Sequence, residues 1–264
     1  MPTSYSEDDI LKAYAALGIS AGDTVYVVSE LWRLRSFSGA DIAGSHYNAL
    51  RQLIGEEGTI VVSAATPSIS NTETPFDPEM PSEMGIFSEY VRLLPGSRRS
   101  FHPFVSYAAN GRLAEHITKD VSRHAYGPAT PEARLIDLKA TTISIGMKPN
   151  YSCSTGHHVE LVMGVPFRYA KEFRHPVIRD GKMTAEFFYQ HVWYRDIGFR
   201  KDRQVKLFET LQRDYNFKIR TCQLGAGKVY AYKIDQFFNL AIQALAHDIY
   251  ITCVAPPEKR PYQS

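Results

Sequence analysis

Apolar positions in the first half of the chain switch repeatedly between helical and strand spacing. Ile10, Leu11, Tyr14 and Leu17 follow helical spacing behind Ser6-Glu7-Asp8-Asp9, which caps the helix, and Gly18 ends it. Asp23–Ser29 is rich in β-branched residues and reads as the first core strand. Ala40–Leu53 returns to helical spacing and stops before Gly55, and Gly58–Ser63 is the next strand. Strand, helix and strand in that order predict a βαβ unit and a largely parallel sheet. Thr66–Met84 carries Pro, Ser, Thr and Asn without periodicity and reads as a long loop, a class that is often functional in compact domains.

Further along, Gly85–Leu94 is helical, His102–Asn110 a strand and Leu113–Thr118 a short helix. Tyr126–Leu135 begins as a loop and ends as a helix, and Thr142–Ile145 is an apolar run that reads as a buried strand. Beyond about residue 170 the pattern changes. Aromatic and basic residues dominate Phe187–Tyr194, and Ile197–Tyr215 is polar and helical in part. Phe217–Tyr232 alternates as strands do, Ile234–Leu245 is an amphipathic helix, and Ile249–Val254 reads as a short last strand. The expected architecture is α/β: a three-layer α/β/α sandwich around a largely parallel or mixed sheet, with residues 1–264 as one domain and no linker dividing it.

Composition adds exclusions. The 264 residues are 44% hydrophobic and 22% charged, with a net charge of +2, ordinary values for a globular protein. That balance makes no electrostatic case for nucleic acid or a membrane surface as partner. No apolar run reaches the ~18 residues of a membrane span. Met1–Ser6 lacks the basic and apolar regions of a secretory leader, so the expected compartment is the cytoplasm. Three cysteines, Cys153, Cys222 and Cys253, include no CxxC pair, which argues against a disulfide framework and a thiolate metal site. Gly225-Ala226-Gly227-Lys228 lacks the full phosphate-loop frame and reads as a hairpin turn.

The chemistry concentrates in Ser154-Thr155-Gly156-His157-His158-Val159-Glu160, just after the buried strand. A hydroxyl, a His three residues on and a Glu three further supply what proton transfer to or from a nucleophile requires. The His takes a proton near neutral pH, and a carboxylate fixes its tautomer and stabilises the charged ring. The neighbouring His158 finds no third ligand at metal-site spacing, and no metal is expected. Ser29 and Ser106, near strand ends, are placed where ligands bind in α/β sheets.

Several segments in order resemble the aminoglycoside 3-N-acetyltransferase family. They are Asp77-Pro78-Glu79-Met80-Pro81-Ser82-Glu83-Met84-Gly85, Glu89-Tyr90-Val91-Arg92, and Pro95-Gly96-Ser97-Arg98-Arg99-Ser100-Phe101-His102-Pro103-Phe104-Val105-Ser106. Tyr126-Gly127-Pro128-Ala129-Thr130-Pro131 and Gly164-Val165-Pro166-Phe167-Arg168 continue the match, which covers about residues 10–170 and leaves 171–264 as a divergent, acceptor-side part. The resemblance implies acetyl-CoA as donor and a small-molecule amine as acceptor, in a monomer or homodimer. It places the catalytic base at His157, with Glu160 or a later carboxylate orienting it, and a hydroxyl of Ser154 or Thr155 donating to the oxyanion. Ser29, Leu31, Arg99, His102 and Ser106 are implied as contacts for CoA. One departure is plain: the family's V-H-S-S-L is Val27-Val28-Ser29-Glu30-Leu31 here.

The basic residues of the last third, Arg195, Arg200, Lys201, Arg203, Lys206 and Lys228, interleave with Tyr189, Trp193, Tyr194 and Phe199. A polycationic acceptor calls for an acidic pocket and an anionic one for a basic, aromatic pocket. The expected activity is therefore N-acetylation of a nucleotide-linked or biosynthetic amino sugar. The alternatives are a resistance-type aminoglycoside 3-N-acetyltransferase and a non-catalytic CoA- or sugar-binding homologue. A serine hydrolase is disfavoured because no G-x-S-x-G elbow is present.

Overall fold

The computed structural model describes residues 4–260, so residues 1–3 of the Met1–Ser6 stretch lie outside the described residues. The elements in chain order are β1 (Ser4–Tyr5), α1 (Glu7–Ala16), β2 (Thr24–Ser29), β3 (Ser36–Phe37), α2 (Ile42–Ile54), β4 (Thr59–Ser63) and α3 (Ile86–Leu93). Then come β5 (Arg98–Arg99), β6 (Tyr107–Gly111), α4 (Ala114–Thr118), α5 (Pro131–Asp137), β7 (Thr141–Ile145) and α6 (Thr155–Val162). The last third holds β8 (Arg168–Arg179), β9 (Lys182–Trp193), α7 (Val205–Asp214), β10 (Arg220–Leu224), β11 (Gly227–Lys233) and α8 (Ile234–His247).

A seven-stranded mixed sheet, ordered β10-β11-β7-β2-β4-β6-β5, forms the centre. β2 lies between β7 and β4 and runs parallel to both, and the remaining pairs are antiparallel. Alternation along the strands builds a layer on each face. Val25, Val27, Ile60, Val62, Ile143 and Ile145 pack with Ile10, Tyr14, Leu50 and Phe87 from α1, α2 and α3. Tyr26, Val61, Tyr107 and Ala109 point the other way, onto Ala114, Ile117 and Leu135 from α4 and α5. The expected three-layer α/β/α arrangement is what the sheet and its two covers form.

Local signals explain the helix starts. Ser6 and Asp9 make a reciprocal capping box, and Thr130 Oγ1 accepts from Ala133 N ahead of Pro131. Two sequence expectations need correction. Within His102–Asn110 the strand begins only at Tyr107, because His102 Nδ1 accepts from Phe104 N at 3.2 Å and Val105 N at 3.1 Å and closes a turn around Pro103. Ile249–Val254 is a run of turns, not a strand, tied down by one bridge between Lys201 and Cys253.

The largest addition is the β8–β9 hairpin, a two-stranded ribbon separate from the central sheet. Its turn is Asp180-Gly181, both at positive φ, the geometry that twists with the strands. Phe104, Val177 and Phe188 fasten it over the long loop after β4, where Phe76 N donates to Pro176 O and Ile178 N to Phe76 O.

Candidate active site

The three parallel strands end together, and ligand crevices form where such carboxyl ends meet. Ser29 ends β2, Ser63 ends β4, and the chain leaving β7 turns at Gly146 into the loop that carries Ser152, Cys153 and Ser154. Gly146 sits at φ +75, and a Cβ there would lie 2.4 Å from Glu30 O, so the loops after β7 and β2 approach closely only because this residue is glycine. α6 then begins, and the i, i+3 spacing puts His157 and Glu160 on one face of it.

His157 Nδ1 lies 3.5 Å from Glu160 Oε2 and 2.9 Å from Arg168 Nη2, while Arg168 Nε lies 2.6 Å from the same Glu160 oxygen. Arg168 also donates to His191 O at 2.8 Å, which joins this cluster to β9. The Glu160 side chain is fully buried and that of Arg168 is 2% exposed, whereas 30% of the His157 side chain reaches solvent. Burial alone would raise the Glu160 carboxyl; the His157 hydrogen bond and the charges of Arg168 and Lys201 outweigh it and bring it down to about 2. Desolvation dominates for His157 and holds it at about 4, opposed by Glu160 and assisted by Lys201 and Arg168. The ring is therefore neutral at pH 7, ready to take a proton. Burial lowers Lys201 to about 8, against the pull of Glu160.

His157 and Tyr126 line two cavities at once, with ring centroids 5.5 Å apart. One cavity, about 320 Å³, lies at the strand ends and is lined by Tyr26, Ser29, Ser63, Ser88, Tyr151, Ser152 and Ser154 with no charged side chain. It adjoins a second space past Leu31, Trp32, Glu30 and Glu83. The other cavity, about 250 Å³, faces the hairpin and is lined by Arg168, Gln190, His191, Trp193 and Arg195 with no carboxylate. Both Arg168 and Lys201 lie over the Trp193 ring, at 5.1 and 5.2 Å.

The structure brings Ser29, Ser154 and His157 to one cavity and Leu31 to the adjoining one. Thr155 is buried, and its Oγ1 donates to Glu132 Oε1 at 2.5 Å; Ser154 Oγ donates to Glu132 Oε2 at 2.9 Å. Arg99 and Ser106 are gathered elsewhere, at the base of the long loop, and His102 closes the Pro103 turn with its ring against Phe104 and Phe188. Arg99 donates to Ser106 Oγ, Pro78 O, Met80 O and Thr66 Oγ1, and none of the three lines either cavity beside His157. Cys153 is buried, with its thiol pushed up to about 12 by desolvation, so it is a core residue rather than a nucleophile. His158 Nδ1 accepts from Gly127 N at 3.3 Å, away from the cluster. Among the described residues no group of three His, Cys, Asp or Glu could hold a metal, and no helix is long and apolar enough to cross a membrane.

Residue-by-residue reading missed Glu132, Tyr126 and the pairing of Arg168 with Glu160. Glu132 gave one signal, an acid in the first turn of a helix behind a Thr-Pro start, but nothing in the sequence pointed it at Ser154 and Thr155.

Comparisons with known proteins identify the family. A family model described as aminoglycoside 3-N-acetyltransferase matches residues 27–246. Aminoglycoside N(3)-acetyltransferase VII of Streptomyces paromomycinus is 28% identical over 197 residues, which cover 66% of this chain and 66% of that protein. Aminoglycoside N(3)-acetyltransferase IX of Micromonospora chalcea is 26% identical over 260 residues, covering 86% and 89%. The fold matches a crystal structure of aminoglycoside acetyltransferase AAC(3)-Xa with a TM-score of 0.79 over 92% of this chain and 93% of that one, at 22% identity. An AAC-IIIb structure titled as binary with CoASH matches with a TM-score of 0.78 over 92% and 97%, at 20% identity. With a family model spanning most of its length and both layers of the sheet in place, the chain belongs to the aminoglycoside 3-N-acetyltransferase family, a family of acyltransferases.

Proposed function

We propose that this protein transfers the acetyl group of acetyl-CoA to a primary amine of an aminoglycoside, with His157 as general base. The observation that carries the reading is the position of His157, neutral and part exposed, at the junction of two cavities with Glu160 and Arg168 behind it. Relatives named as aminoglycoside N(3)-acetyltransferases support this acceptor over the nucleotide-linked amino sugar expected from the basic composition. Ser29 and Leu31, which the family resemblance implies as CoA contacts, line the strand-end side and support CoA there, with the acceptor in the hairpin cavity.

In the transfer, the amine nitrogen forms a bond to the thioester carbonyl carbon and the carbon–sulfur bond breaks. The amine proton passes to His157 and from there to the departing thiolate. Arg168 Nη2 can only donate, so its 2.9 Å contact makes Nδ1 the acceptor in the resting site. Taking the amine proton at Nε2 requires the tautomer with Nδ1–H toward Glu160, reached when Arg168 Nη2 moves off Nδ1. Once protonated, the ring is held by Glu160 Oε2, while Arg168 keeps that carboxylate ionised. General-base action of this kind contributes roughly 10²- to 10⁴-fold. With Thr155 and Ser154 both donating to Glu132, Tyr26 is a hydroxyl in the strand-end cavity beside His157 whose proton is not committed to that carboxylate and can turn to the acyl oxygen.

One observation favours a second acceptor. The hairpin cavity presents Arg168, Arg195 and His191 and no carboxylate, which suits an anionic, nucleotide-linked amino sugar better than a polycation. Thiol release from acetyl-CoA decides. Turnover with an aminoglycoside such as sisomicin supports the first acceptor, turnover with a nucleotide-linked amino sugar alone supports the second, and no release with any amine refutes the transfer.

A further inference from the structure

Glu132 is a carboxylic acid with no exposure to solvent, and the transfer chemistry makes no use of it. Tyr107 Oη and Ser154 Oγ both donate to its Oε2, at 2.5 and 2.9 Å, and Thr155 Oγ1 donates to its Oε1 at 2.5 Å. Three donors on one buried carboxylate are what an ion needs in place of water. Two of the three come from the start of α6, where Ser154 is the N-cap residue and Thr155 the first helical one. Ser154 forms no side-chain cap on its own helix; its hydroxyl is turned away to Glu132. The start of α6 is thus tied through both of its hydroxyls to one carboxyl group in the interior. His157 stands in that first turn, its N donating to Ser154 O at 2.9 Å.

The same atoms reach the cavity. Ser154 Oγ lies 3.3 Å from Tyr26 Oη, which lies 2.7 Å from Ser63 Oγ, and these three hydroxyls line the strand-end cavity with His157. A hydroxyl has one proton. When Ser154 gives its proton to Glu132, it presents only lone pairs to Tyr26, and the one Tyr26 proton is shared among Ser154, Ser63 and the cavity. Burial raises the Glu132 carboxyl, and the hydrogen bonds from Thr155, Tyr107 and Ser154 oppose that rise.

We infer that Glu132 is a positioning residue of the acetyl-transfer site: through Ser154 and Thr155 it fixes the first turn of α6, and with it the ring of His157 and the direction of the cavity hydroxyls. The inference rests on the transfer reading only for its kinetic test. Glu132→Gln keeps the shape and removes the charge, and its amide must donate where the carboxylate accepted. In the wild-type background this change is expected to lower kcat at least tenfold, with the KM for acetyl-CoA within about twofold. In a Thr155→Val Ser154→Ala background the same change is expected to cost less than threefold more, because the hydroxyls that carry the effect are gone. An unchanged kcat, a loss carried by KM alone, or an equal loss in both backgrounds overturns the inference. Nitrogen NMR of the His157 ring, assigned by the missing signals of His157→Asn, tests it without turnover. Glu132→Gln, or Thr155→Val alone should the first variant not fold, is expected to shift those signals. Unmoved signals overturn the positioning role, whereas shifted signals with no thiol release from the wild type refute the transfer and not the positioning.

Discussion

The two cavities that meet at His157 are built from different parts of the chain and differ in charge. The strand-end cavity belongs to the central sheet, where three parallel strands finish together and present hydroxyls and no charge. The hairpin cavity belongs to β8 and β9, a ribbon outside the central sheet, and presents cations and an exposed Trp. A sheet buried on both faces fixes its strand ends tightly and suits a donor that every family member must hold. A ribbon outside the sheet can change its surface without disturbing the core, and there this chain shows its basic, aromatic character. Arg168 joins the two, because it starts the hairpin yet pairs with Glu160 on α6.

The strongest way to break that division is to remove the joint. Arg168→Leu leaves the Glu160 carboxylate buried and unpaired, a change expected to cost about 3–5 kcal/mol of stability in urea unfolding. A loss under 1 kcal/mol would mean that the pair does not link α6 to the hairpin. Gly146→Ala attacks the strand-end side alone. Positive φ and the 2.4 Å approach to Glu30 O together are expected to remove about 1–3 kcal/mol by thermal unfolding and to weaken acetyl-CoA binding. Unchanged stability there would show that the two loops separate freely.

Charge reversal sharpens the assignment of substrates. Arg195→Glu is expected to lower the KM of a polycationic acceptor by about three- to tenfold at low salt, with the KM for acetyl-CoA unchanged and the effect fading as salt rises. The opposite pattern would exchange the two cavities. The last of these tests is a pH dependence of stability. Burial holds His157, His158, His102 and His191 near 4 and His46 near 3, all below the ordinary 6.5. Lowered folded values mean that the unfolded chain binds protons first as pH falls. Stability is therefore expected to be full above about 6.5 and to decline steadily toward pH 4; a melting temperature flat over that window would contradict the burial of these rings.

Much of this was legible in advance where a physical rule ties residue to geometry. Thr24–Ser29 and Thr59–Ser63 carried enough β-branched residues, and the helices at Glu7 and Pro131 enough capping chemistry, to be read before any coordinates. His157 and Glu160 were legible as an acid–base pair from residue type, spacing and the family resemblance, while the helix that puts them on one face, Thr155–Val162, was not read from the sequence. What escaped reading was set by contacts distant in sequence. β8 mixes charged and apolar residues because much of it faces solvent, so its alternation is weak, although Asp180-Gly181 marked the turn. Arg99, Ser106 and His102 look like ligand contacts in one dimension; only the folded chain shows Arg99 bonded to the long loop and to Ser106, and His102 Nδ1 bonded within its own turn. Glu132 meets Ser154 and Thr155 across more than twenty residues.

The most direct test is the rate of thiol release from acetyl-CoA by His157→Ala beside the wild type, with acetyl-CoA affinity measured by calorimetry. Release slowed by about 10²- to 10⁴-fold with affinity within about twofold is the expected result. Release at the wild-type rate would contradict His157 as the base.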